Sequence, residues 1–106
     1  MIKINSKMKL KKDKISENDI KKQIKTYLSY LGWYSFPLMQ GLGSQRGLPD
    51  RIAIKDSRVL FLEIKTLKGK QSEGQIEFEE MIKSHGGEYY VVRSIEDVDK
   101  IIQKKV

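Results

Sequence analysis

Asp50, Glu63 and Lys65 are the residues of this sequence whose types and spacing could do chemistry. Asp50 closes a glycine-rich stretch, and Glu63 and Lys65 sit near the end of an apolar run, "RVLFLEIKT" (58–66). Side chains alternate along a pleated strand, so Val59, Phe61, Glu63 and Lys65 share one face and Leu60, Leu62 and Ile64 the other. Two opposite charges ending an apolar stripe are costly unless paired or coordinated. Asp56-Ser57 reads as a two-residue turn that folds "RIAIK" (51–55) back on this run as a hairpin. Across that turn residue i lies opposite residue 113 − i, which pairs Asp50 with Glu63 at a Cβ separation of about 5 Å. Carboxylates that close repel unless a cation sits between them, and a divalent metal with oxygen ligands is the simplest resolution. Lys65 faces the same place. It either neutralises the carboxylates as a buried ion pair, or holds a water and a phosphate oxygen during in-line attack.

Further polar groups are expected at the same strand end. Ser16 with Asp19 forms a helix-capping pattern, followed by Ile20, Ile24, Tyr27, Leu28 and Leu31 at helical spacing and by Gly32 as the stop. Glu17 starts that helix, where an acidic residue suits the helix dipole, yet its angular position follows the apolar stripe of Ile24 and Leu28. Ser72 with Gln75 forms a second capping box, opening a helix that presents Phe78, Met81 and Ile82 and stops at Gly86-Gly87. Gln75 is a capping residue by position and is also aligned with Phe78 and Ile82. "WYSFPLM" (33–39) reads as a short strand with Pro37 near its exit, "EYYVV" (88–92) as a fourth strand, and Ser94 caps a last helix carrying Ile95, Val98, Ile101 and Ile102. The predicted order is α-β-β-β-α-β-α, a small mixed sheet with helices packed on it.

The bulk numbers narrow the chemistry. At 106 residues the chain is expected to form one domain. With no cysteine and one histidine, thiolate and His-rich metal sites are excluded, and any metal must be hard and oxygen-ligated. No apolar run is long enough for a membrane span or a signal peptide, so a cytoplasmic location is expected. The net charge is +7, of which residues 1–14 carry +5, leaving +2 on residues 15–106. A basic, flexible arm on a nearly balanced body suits a polyanion, although such a leader can also be merely solubilising.

Pro49-Asp50, the hairpin and Glu63-Ile64-Lys65 resemble the PD-(D/E)XK nuclease signature, and the element order is that of the restriction-endonuclease-like α/β core. More narrowly, "GLPDRIAI" (47–54), "VLFLEIKTLKGKQSEGQ" (59–75) and an early helix bearing Glu17 resemble the virus-type replication-repair nuclease (VRR-NUC) domain, from about residue 16 to 100. The resemblance implies that Asp50, Glu63, the Ile64 carbonyl and Glu17 hold Mg²⁺ or Mn²⁺, and that Lys65 orients the attacking water. It implies that Gln75 positions Lys65 or the scissile phosphate. Stand-alone members resemble Holliday-junction resolvases, homodimers that cut branched DNA and are often phage-encoded. The implied activity is a metal-dependent, structure-selective DNA endonuclease.

Two other readings stay open: a non-catalytic DNA-binding module whose charge cluster is structural, and a nuclease acting on linear DNA. "GLGSQRG" (41–47) lacks the Lys-Ser/Thr ending and following helix of a nucleotide-binding P-loop, so no nucleotide cofactor is expected. Arg46, Arg51, Lys55, Lys68 and Lys70 flank the motif as candidate phosphate contacts. Trp33 and Tyr34 are expected in the core or a dimer contact, and His85 at a helix C-terminus.

Overall fold

The computed structural model describes residues 15–104. The lysine-rich arm expected over residues 1–14 lies outside them. Three helices and four strands follow one another as α1 (Glu17–Tyr30), β1 (Tyr34–Pro37), β2 (Arg51–Lys55), β3 (Arg58–Ile64), α2 (Glu73–Ser84), β4 (Glu88–Val92) and α3 (Ile95–Gln103). This is the expected order.

The sheet runs β1-β2-β3-β4, antiparallel for the first two pairings and parallel between β3 and β4. Asp56 and Ser57 take φ of 51° and 66°, the left-handed geometry that lets a two-residue turn follow the strand twist. The resulting register pairs Arg51 with Leu62 and Lys55 with Arg58, as the turn length requires. Beyond the last rungs, Asp50 N donates to Leu62 O at 3.0 Å and Lys65 N to Val92 O at 3.0 Å. The β3–β4 ladder thus runs on to Lys65, whereas Asp50 bonds the residue that already pairs with Arg51. The β2–β3 register therefore stops at Arg51, and Asp50 is not the rung partner of Glu63 that residue counting predicts.

One face of β3 (Leu60, Leu62, Ile64) joins Ala53 and Val92 beneath α1 and α3, with Ile20, Ile24, Leu28 and Val98 closing the core. Trp33 is part of this core, whereas Tyr34 is exposed on β1. On the opposite face Phe78 of α2 packs edge-on to Phe61 and against Tyr89, with ring centroids 5.9 and 6.1 Å away. Met81, expected on that inner face with Phe78 and Ile82, is exposed instead. Helix α2 leans on β4 at one margin of the sheet, so its inner row is narrower than the periodicity suggests.

Both capping boxes form: Ser16 Oγ accepts from Asp19 N at 3.2 Å, and Ser72 Oγ from Gln75 N at 3.2 Å. Arg58 fastens the far end of the hairpin. It grips both carboxylate oxygens of Glu88 at 2.9 and 2.8 Å and donates to Ile101 O and Ile102 O near the end of α3. Tyr27 OH donates to Asp99 at 2.6 Å, tying α1 to α3.

Candidate active site

The site forms where the open ends of β2 and β3 meet. Asp50 is held from several sides. Its carbonyl accepts from Leu38 N at 2.9 Å, and its Oδ2 accepts from Ile64 N at 2.6 Å. Hydrogen bonds from backbone amides aim a carboxylate without relying on any mobile side chain. Oδ1 is left to face outward, where it meets Lys21 Nζ at 3.1 Å.

Glu63 lies one residue past the last β2–β3 rung, opposite Val91 of β4, and is 0% exposed. Its Oε1 accepts from Tyr89 OH, while Oε2 has no hydrogen-bond partner among the described residues. The nearest cation to Oε2 is Lys65 Nζ at 4.0 Å, within Coulomb range but too far to hydrogen-bond. Burial raises the Glu63 carboxyl above the usual glutamate range. The Tyr89 hydroxyl, the Lys65 charge and the nearby Gln71 amide pull it down but fall short, and the charge of Asp50 adds to the rise. Burial and the Glu63 carboxylate likewise push Tyr89 far upward, keeping its proton in place as the donor. A buried carboxylate oxygen without a partner is a costly arrangement, and it points to a group that completes it.

That group fits a hard cation. The donors are all oxygens, supplied by Asp50 and Glu63 with the Ile64 backbone between them, and they match a small divalent ion better than a soft one. Among the described residues no cluster of three His, Cys, Asp or Glu side chains converges, so the carboxylates alone do not make a full shell. Glu17, expected as a further ligand, reaches the site only through Lys21, whose Nζ stands 3.3 Å from Glu17 Oε2. Desolvation would lower the Lys21 ammonium, but its bonds to Asp50 and then Glu17 outweigh this and raise it.

The remaining expected residues separate into two groups. Gln75 and Arg46 line a shallow cleft together with Asp50, at the N-terminus of α2. Gln75 Oε1 is engaged there by Ser72 N at 3.0 Å as a cap, and Arg46 pairs with Glu77 at 2.6 Å. Lys68 and Lys70 stand exposed on the loop that follows Lys65. Arg51 and Lys55, in contrast, are turned to structural work. Arg51 is 8% exposed and donates to Ser35 Oγ at 2.9 Å, and burial lowers its guanidinium. Lys55 Nζ donates to Leu31 O at 2.7 Å, satisfying a carbonyl at the end of α1. Both cations are thus engaged by partners within the protein. His85 sits at the end of α2 as expected, its Nδ1 2.7 Å from Met81 O.

The backbone of the loop before Asp50 is locked to α2. Gly47 has φ of +76°, and a Cβ there would lie 2.0 Å from Gly74 O and 2.7 Å from Gln75 N. Two glycines let the chains touch main chain to main chain, which seats Pro49-Asp50 against the helix N-terminus.

Lys21, Tyr89 and Gln71 belong to the site and were not anticipated. Lys21 stands four residues after Glu17, a spacing that brings side chains together on a helix. Tyr89 follows from alternation within "EYYVV" once β4 is known to lie parallel beside β3.

A mixed four-stranded sheet with Asp50, Glu63 and Lys65 gathered at the open end of its central hairpin is the restriction-endonuclease-like, PD-(D/E)XK arrangement. The chain is similar to a solved VRR_NUC domain, with a TM-score of 0.72 and 26% identity over 85% of this chain and 97% of that one. It is also similar in fold to Archaeoglobus fulgidus Hjc, a Holliday junction resolvase from an archaeal hyperthermophile, with a TM-score of 0.56 and 20% identity. That match covers 73% of this chain and 67% of the other. No protein-family model and no curated protein matches. The chain has a VRR-NUC-like nuclease fold.

Proposed function

We propose that the protein is a Mg²⁺- or Mn²⁺-dependent endonuclease that hydrolyses phosphodiester bonds in branched DNA. The observation that carries this reading is the buried Glu63, with Oε2 lacking a partner beside the aimed carboxylate of Asp50. Asp50, Glu63 and the Ile64 carbonyl would hold the cation, with Glu17 linked to them through Lys21. When bound, such an ion supplies charge neutralisation at a phosphoryl oxygen and a more acidic water. Tyr89 fixes the orientation of Glu63 by donating to its inner oxygen. Lys65, 16% exposed at the side chain, keeps its ammonium at the mouth of the site. There it holds the attacking water and stabilises charge developing on the phosphorus-bound oxygens. Gln75 and Arg46 border the path of the strand.

Branched DNA as substrate draws support from the likeness to a Holliday junction resolvase. A four-way junction has two-fold symmetry and calls for two sites, so the active species is a homodimer. The reading carries with it a cytoplasmic location, in the host bacterium if the gene is a phage's; among the described residues no helix is long and apolar enough to cross a membrane.

Labelled linear, flap and four-way DNA incubated with Mg²⁺, Mn²⁺ or EDTA tests it directly. Cutting of the four-way substrate is expected only with metal. Asp50→Asn and Lys65→Ala should each abolish cutting while DNA binding persists, and retained cleavage in both variants would refute the assignment. The ion pairs joining Lys21 to Asp50 and Glu17 favour one other reading, a DNA-binding module whose charges are structural. In that case EDTA leaves its binding unchanged and no substrate is cut.

A further inference from the structure

Lys21 puts a cation where the metal reading wants one. Its Nζ lies 3.1 Å from Asp50 Oδ1 and 3.3 Å from Glu17 Oε2, bridging two of the three carboxylates expected to surround a divalent ion. The bridge is built from a helix and a loop: Glu17 and Lys21 are one turn apart on α1, and Asp50 comes from the segment entering β2. Lys21 does not orient Asp50, because Oδ2 is already fixed by Ile64 N at 2.6 Å. What it occupies is the remaining, outward-facing oxygen.

We infer that Lys21 is an internal counter-cation that competes with the divalent metal for Asp50 and sets how tightly the site loads. This rests on the metal-dependent reading above. Without metal, the ammonium neutralises Asp50 and holds Glu17 aside. When the ion arrives, Lys21 gives up Oδ1 and keeps Glu17 as its helical partner. The exchange is inexpensive because the Lys21 side chain is 37% exposed, so water replaces the lost contact readily. The adjacent Glu63 Oε2 has no protein donor to give up at all. Metal affinity is thus opposed by a direct ion pair at the Asp50 side of the site, and at the Glu63 side only by the more distant Lys65 ammonium, 4.0 Å from Oε2. Lys21 acts through Asp50 by competing for its outer oxygen, and is not a catalytic residue.

Isothermal titration of Mn²⁺ into the full-length protein tests this without any DNA. Removing the competing charge in Lys21→Met or Lys21→Gln should tighten Mn²⁺ binding about two- to tenfold, the worth of one or two partly exposed ion pairs. Two variants are used so that poor folding of one does not decide the result. Lys21→Arg keeps a cation and should stay within about twofold of wild type. Asp50→Asn should lose binding. Unchanged or weaker binding in both neutral variants, with Asp50→Asn still losing it, would overturn this inference alone. Tighter binding in Lys21→Arg would do the same. No Mn²⁺ binding by the wild-type protein would overturn the metal reading and this inference with it.

Discussion

Glu63→Gln should stabilise the metal-free protein because of one oxygen atom. Oε2 of Glu63 is buried without a hydrogen-bond partner, and Lys65 approaches only to 4.0 Å. An unsatisfied buried polar group costs about 1–3 kcal/mol, more when charged. The raised Glu63 carboxyl shows that burial outweighs the Tyr89, Lys65 and Gln71 contacts. Neutralising it with an amide of the same shape keeps the Tyr89 hydrogen bond at Oε1 and removes the buried charge, while Lys65 gives up only a contact at 4.0 Å. A net gain of about 1–2 kcal/mol is expected near neutral pH, which in a domain of this size is a rise in Tm of about 5–10 °C. The pH dependence has a definite sign. A group whose folded-state pKa is raised favours folding fully below its unfolded value, and that contribution is lost as pH rises through the folded value. In EDTA the wild-type Tm should therefore fall as pH climbs from the ordinary glutamate range upward, and Glu63→Gln should lack this slope. Mn²⁺ should raise the Tm of the wild type and leave the variant unmoved. Thermal denaturation followed by circular dichroism across pH, with EDTA or Mn²⁺, measures all of this. A lower Tm for Glu63→Gln in EDTA would refute the reasoning, since that is what a purely structural charge cluster requires.

Two further outcomes follow from other parts of the molecule. Gly47→Ala meets both a left-handed φ and the main chain of Gly74, so it should cost more than the roughly 1–2 kcal/mol of backbone strain alone and displace Asp50. Gly43→Ala, at φ of +81° with open space around it, should cost the strain only, and comparing Tm and cleavage for the two separates them. Arg58→Ala breaks a bidentate pair with Glu88 and two carbonyl contacts at the end of α3, and should lower stability by about 2–4 kcal/mol in urea titrations. The Arg58 hydrogen bonds hold Glu88 below the usual glutamate range. This stabilisation is present above the unfolded glutamate pKa and is lost as pH falls through the folded one, so the variant should show a shallower acid transition.

The fold followed from short-range rules because each was obeyed locally. Asp56-Ser57 set the hairpin register, Ser16 and Ser72 began two helices, and the glycines at 32 and 86 ended them. The β2–β3 register needed nothing more than that turn, whereas Asp50 meets Ile64 through its own side chain, one residue before the first rung. What the sequence left open depends on the azimuth of a helix or on a parallel crossover. Glu17 and Lys21 share one face of α1, so which of them reaches Asp50 is decided by where the helix sits along its own axis, and a difference of one turn exchanges a ligand for a cation. Tyr89 enters only because β4 returns parallel to β3. Arg51 and Lys55 look like free cations in one dimension, yet the edge strand and the end of α1 supply Ser35 Oγ and Leu31 O as partners.

The hairpin turn has a consequence for how this chain can change in evolution. Asp56-Ser57 lies six to seven residues from Asp50, about 20–23 Å along the strand. Yet one residue inserted there would slip every rung between β2 and β3 and send Asp50 to the opposite face from its present partner. Insertions of one residue at the turn should therefore be absent from working homologues. Changes of side chain at the same two positions, glycine or asparagine above all, should be freely accepted.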